Sequence, residues 1–134
     1  MKKILLISLL GGLLGCQHES LDIQAPYRIK LSATPDVTAL KVGAPVRLSL
    51  DLQTDSYYST SGYQLVFYQQ SGLGRLRKDT TAVLQKVGVP LQLGRSDWAY
   101  TPEAAGTSEI VLVARQERGY TQPDTVRFSF QVIP

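Results

Sequence analysis

The stretch Val126-Arg127-Phe128-Ser129-Phe130-Gln131-Val132 alternates apolar and polar residues without a break. A period of two puts every second side chain on the same face, so this stretch predicts a strand with one face on a core and the other in water. The same pattern recurs toward the N-terminus. Val46, Leu48, Leu50 and Leu52 alternate with Arg47, Ser49 and Asp51, and Tyr27, Ile29 and Leu31 alternate with Arg28, Lys30 and Ser32. Half-buried strands of this kind belong to antiparallel sheets. Val42-Gly43-Ala44-Pro45 reads as a turn, with Pro45 at the strand entrance where a missing N–H is tolerated.

Gly62 to Gln69 is apolar or aromatic on both faces and predicts a central strand. Ser71-Gly72-Leu73-Gly74 reads as a hairpin turn, with a short strand over Arg75 to Asp79. Thr80 to Leu93 reads either as a short helix starting at Asp79-Thr80 and ending at Gly88, or as strand and loop. The second is preferred because so short a helix is marginal. Trp98-Ala99-Tyr100-Thr101 and Ile110 to Arg115 complete the pattern, separated by a loop at Glu103 to Gly106, and Glu117-Arg118-Gly119 turns into the last strand. The sum is an all-β chain of about seven short strands, a single immunoglobulin-like β-sandwich. Its expected core is Ile29, Leu31, Val46, Leu48, Leu50, Leu65, Phe67, Ile110, Leu112, Phe128 and Phe130. Burial of Phe128 would make its replacement by alanine cost about 3–5 kcal/mol.

The N-terminus carries a different signal. Met1-Lys2-Lys3 is basic, and Ile4 to Leu14 is apolar but too short to span a bilayer. Leu13-Leu14-Gly15-Cys16 resembles the lipobox of bacterial lipoproteins. Cleavage then falls between Gly15 and Cys16, and Cys16 carries acyl chains that hold the chain on a bilayer. The expected division is a lipoprotein signal peptide at 1–15, a lipidated tether at 16–25 and the sandwich at 26–134. Gln17 after the cysteine points to the outer membrane with the domain facing the periplasm. Glu19 is only a weak match to an acidic surface-export signal, so surface exposure stays open as the alternative.

Loss of Lys2 and Lys3 leaves 12 basic against 11 acidic residues, a net charge of +1 rather than +3. No basic tract remains that would call for nucleic acid; Arg75, Arg77 and Lys78 read as a solvated loop. With Cys16 lipidated there is no thiol for a disulfide, a metal site or a nucleophile. The one histidine, His18, lies two residues from the lipid, and Asp51, Asp55, Asp79, Asp97 and Glu103 are not paired in sequence. Enzymatic chemistry, a metal and a cofactor are therefore not expected. Tyr57 and Tyr58 in the loop Thr54 to Ser61, and Tyr120 after Gly119, are the candidate partner-binding residues, since loop aromatics often anchor partners.

Several short motifs also share an order with one family. These are Leu21-Asp22-Ile23-Gln24 with Tyr27; Tyr63 with Phe67-Tyr68-Gln69; Gly72, Gly74, Leu76 and Asp79; Tyr100-Thr101; and Phe128-Ser129-Phe130. The chain resembles the TraQ family of conjugal transfer proteins from conjugative transposons of Bacteroidota. The resemblance implies a non-enzymatic, small all-β lipoprotein whose partners are other conjugal transfer envelope proteins. The competing expectation is a surface glycan-binding or adhesin-like lipoprotein, using loop tyrosines and a tryptophan as a sugar platform.

Overall fold

Wherever apolar and polar residues alternate, the backbone is extended in the computed structural model, which describes residues 28–35, 39–55, 62–118 and 121–134. The strands are β1 (Ile29–Pro35), β2 (Ala39–Lys41), β3 (Val46–Thr54), β4 (Tyr63–Ser71), β5 (Gly74–Lys78), β6 (Thr81–Val83), β7 (Val89–Leu91), β8 (Gly94–Pro102), β9 (Gly106–Gln116) and β10 (Asp124–Ile133). They form two five-stranded sheets: sheet I in the order β1-β3-β8-β5-β6 and sheet II in the order β2-β10-β9-β4-β7. All pairings are antiparallel except β2 with β10.

The described residues thus hold ten strands, not about seven. The three additional ones, β2, β6 and β7, have three residues each. Thr80 to Leu93 is strand and loop, as preferred. β6 ends sheet I, and the chain then crosses to the edge of β4. There Lys86 N–H donates to the Phe67 carbonyl at 2.9 Å and Gln85 Oε1 accepts from Gln69 N–H at 3.0 Å before β7 pairs with Tyr63 to Leu65. Pro90 sits on this edge strand, where its missing N–H costs no ladder bond.

Two further expectations change. The turn at Gly72 is not a hairpin: β4 belongs to sheet II and β5 to sheet I, so the chain changes sheets there. Gly72 supplies the positive φ, +73°, and passes close to the backbone of Thr107 and Ser108, leaving no room for a side chain. β4 is not the middle strand; it lies second from the edge, between β9 and β7. Its second apolar face is real, because Val66 is buried on the outer side of sheet II next to Val113.

The core lies between the sheets. Leu48, Leu50 and Leu52 of β3 and Trp98 and Tyr100 of β8 face Leu65 and Phe67 of β4, Ile110 and Leu112 of β9, and Phe130 of β10. Of the expected core, Phe128 alone is not buried; it is half-buried and packs against the cluster. Alternation decides the face a residue takes but not its depth. Among the described residues β2 pairs with β10 only from Gln131 to Ile133, so no strand pairs with β10 on the side next to Phe128.

Tyr100 joins the sheets. Its ring stacks on Phe130 with centroids 5.8 Å apart and meets Phe67 edge-on at 6.4 Å. Its hydroxyl donates to Gln69 Oε1 at 3.0 Å and lies 2.6 Å from the buried Ser108 Oγ. Gln69 Nε2 closes the triangle at 3.0 Å from Ser108. No buried side-chain polar atom among the described residues lacks a partner. That matters because an unsatisfied buried hydroxyl costs about 1–3 kcal/mol.

The edge strand β1 is tied across the layers as well. Leu31 N–H donates to Asp124 Oδ2 of β10 at 2.8 Å, which occupies a backbone donor that a foreign strand would otherwise pair. Asp124→Ala is expected to lower stability by about 1.5–3 kcal/mol, the range for a hydrogen bond to a charged group. Asp124→Asn keeps an acceptor and should lose less. Urea unfolding of the two variants checks this.

Candidate functional surfaces

Cys16, its cleavage partner Gly15, and the tyrosines Tyr57, Tyr58 and Tyr120 lie outside the described residues. Residues on either side of the two tyrosine-bearing segments are described, at Asp55 and Gly62 and at Arg118 and Thr121. Arg28, which leads into β1, donates its N–H to Asp55 Oδ1 at 2.7 Å, and Asp55 N–H donates to the Arg28 carbonyl at 3.2 Å. Gly62, beyond residues 56–61, accepts from Glu117 N–H at 2.9 Å, and Glu117 leads toward residues 119–120.

Three of the five carboxylates that looked scattered in sequence are engaged in the fold. Asp55 holds Arg28, Glu103 pairs with Arg75, and Asp51 accepts from Gln53 Nε2 at 3.2 Å. Among the described residues no three His, Cys, Asp or Glu side chains come together in a way that could hold a metal ion. Trp98 is 2% exposed, with its Nε1–H on Ser96 Oγ at 2.8 Å and Lys78 Nζ 5.3 Å from its ring centroid. A buried indole offers no flat platform to a sugar.

The two outer faces of the sandwich differ. On sheet II the centre is apolar, with Val66 opposite Val113 and Tyr68 opposite Val111, and Gln64 hydrogen-bonded to Arg115 at its border. On sheet I the outward positions are polar and rich in arginine: Arg47 on β3, Arg75 and Arg77 on β5, and Arg95 on β8, all exposed. Arg75, Arg77 and Lys78 are therefore part of a strand rather than a loop. Their sequence signature is the period-two spacing of Arg75 and Arg77 around the buried Leu76.

The sequence family described as TraQ conjugal transfer protein matches residues 1–132. The chain belongs to the TraQ conjugal transfer protein family. Solved structures similar to this TraQ-family chain include three from Bacteroides. A conjugative transposon lipoprotein from Bacteroides eggerthii is 18% identical, covers 80% of this chain and 98% of its own, and has a TM-score of 0.66. A lipoprotein from Bacteroides thetaiotaomicron is 25% identical, with 84% and 85% covered and a TM-score of 0.68. A conjugate transposon protein from Bacteroides vulgatus is 20% identical, with 83% and 90% covered and a TM-score of 0.66. No curated protein sequence matches the TraQ-family chain.

Proposed function

We propose that this TraQ-family protein is a non-enzymatic, lipid-anchored accessory of a conjugative DNA-transfer apparatus, acting through contacts with other envelope proteins. The observation that carries the reading is the family match over residues 1–132, which includes the lipobox cysteine at position 16. In this reading residues 1–15 are removed, Cys16 is acylated, residues 16–25 form the tether and 26–134 the folded domain. The anchor sits in the outer membrane with the domain on the periplasmic side. An immunoglobulin-like assignment is supported by the sheet orders β1-β3-β8-β5 and β10-β9-β4, which follow the ABED and GFC arrangement of the constant-type domain. β2, β6 and β7 are then additions to that frame. The fold does not itself specify a partner.

Deletion of the gene in a donor cell should lower transfer frequency, and in vivo crosslinking should capture other transfer proteins. Normal transfer with no transfer protein in the crosslinked material would remove the reading. Cys16→Ala should leave the melting temperature of the folded domain unchanged while moving the protein out of the membrane fraction. Mass spectrometry of the mature N-terminus checks the acylation directly.

A further inference from the structure

The register of sheet I assembles a cationic surface from residues far apart in sequence. Arg47 on β3 is paired with Ala99 on β8, and Arg77 on β5 is paired with the same Ala99 from the other side. At the usual strand spacing of about 4.8 Å, the Cα atoms of Arg47 and Arg77 stand about 10 Å apart with only a methyl group between them. Arg75 lies one row along, opposite Thr101. Arg95 and Lys30 extend the cationic surface across the outer faces of β8 and β1.

The opposing charges are fewer and partly engaged. Asp51 stands opposite Arg95 in the register, and Asp97 is the other carboxylate of the face. At the borders Glu103 is paired with Arg75, and Asp55 holds the Arg28 N–H. On sheet II the outer centre is Val66, Tyr68, Val111 and Val113, and its two arginines stand apart, Arg127 opposite Val111 and Arg115 hydrogen-bonded to Gln64. The cations are thus denser on sheet I, where Arg47 and Arg77 share one row. Guanidinium groups suit phosphate oxygens, with two parallel N–H bonds available from each. A strand face presents them on one broad surface rather than in a pocket, which fits an extended array of phosphates.

We propose that the outer face of sheet I lies on the phosphate-bearing headgroups of the membrane in which the chain is anchored. The proposal rests on the lipid-anchored reading above. The 11 residues between Cys16 and Arg28 lead to β1, the edge strand of sheet I, and span at most about 40 Å, so the face is held within reach of the bilayer surface. Anchoring makes that contact intramolecular in effect, and a basic surface beside an acyl chain is a second membrane signal. Anionic lipid supplies the complementary charge. The sandwich then rests on sheet I, with sheet II turned toward the aqueous side.

The test uses the full acylated protein in vesicles of phosphatidylcholine alone or mixed with phosphatidylglycerol. A fluorophore is placed at Ser32→Cys on the outer face of β1 or at Ser129→Cys on the outer face of β10, and lipids carry a headgroup quencher. The expected result is quenching at Ser32 about threefold or more stronger in the anionic vesicles, reduced by salt. It is also expected to disappear in the combined Arg47→Gln, Arg77→Gln, Arg95→Gln variant, with the Ser129 probe indifferent throughout. Equal quenching at both positions, or no effect of the arginine replacements in a variant that melts normally, would overturn it. So would DNA binding that the variant loses while vesicle contact persists. Failure to float with neutral vesicles at high salt would instead overturn the anchor, a result that can be told apart because it does not depend on the arginines.

Discussion

Phe130→Ala is expected to lower the unfolding free energy by about 3–5 kcal/mol, enough to remove much of the stability of a domain this size. The ring is 1% exposed. It stacks between Tyr100 of sheet I and Phe128 of its own strand, with centroids at 5.8 Å and 5.7 Å. Its loss leaves a hole bordered by rigid rings, which collapse poorly into vacated space. Phe128→Ala is the internal comparison. That ring is half-buried on the open flank of β10, so the cost should be roughly half as large, since transfer and cavity contributions both shrink with burial. Chemical denaturation followed by circular dichroism measures both. Equal losses would show that the flank of β10 is covered in solution.

Gly74→Ala is expected to cost about 3 kcal/mol, the upper part of the range for overpacking. Gly74 has no unusual φ; it is required for space. A Cβ at this position would overlap the phenol of Tyr100, which is fully buried and held by Gln69 and Ser108. The ring cannot give way without breaking that polar triangle, and an aromatic ring has no flexible end to displace. A double-mutant cycle isolates the cause. In a Tyr100→Ala background the added methyl fills part of the vacated volume, so Gly74→Ala should there cost almost nothing or become favourable. Tyr100→Ala alone should be severe, about 3–5 kcal/mol, because it empties the junction between the sheets. If the two effects simply add, the clash is not the reason for the glycine.

The long strands could be read from alternation because each has enough residues to repeat the period. β3 shows four buried leucine or valine positions in nine residues. β2 offers only Leu40 between exposed Ala39 and Lys41, and a single buried residue carries no period. The turn at Gly72 was visible, but not that it changes sheets, since a glycine-rich turn specifies local geometry and not the partner of the next strand. The depth of Phe128 depends on how far β2 reaches along β10, which is a property of pairing. The cationic surface was half visible: Arg75 and Arg77 stood together, while Arg47 joins them only through the β3–β8–β5 register.

The parallel pairing of β2 with β10 bears on how the molecule carries load. Ala39, Leu40 and Lys41, early in the described chain, pair in register with Gln131, Val132 and Ile133 of the last strand. Tension between a membrane anchor and a partner gripping the C-terminal end would draw these strands past each other along their length. The bonds of the patch are then strained together rather than opened one at a time, as they would be in a peeled hairpin. The Leu31–Asp124 bond, lying farther along the same seam, would share that strain. A three-residue strand with one buried side chain thus becomes the part that would resist a pull between the two ends of the domain.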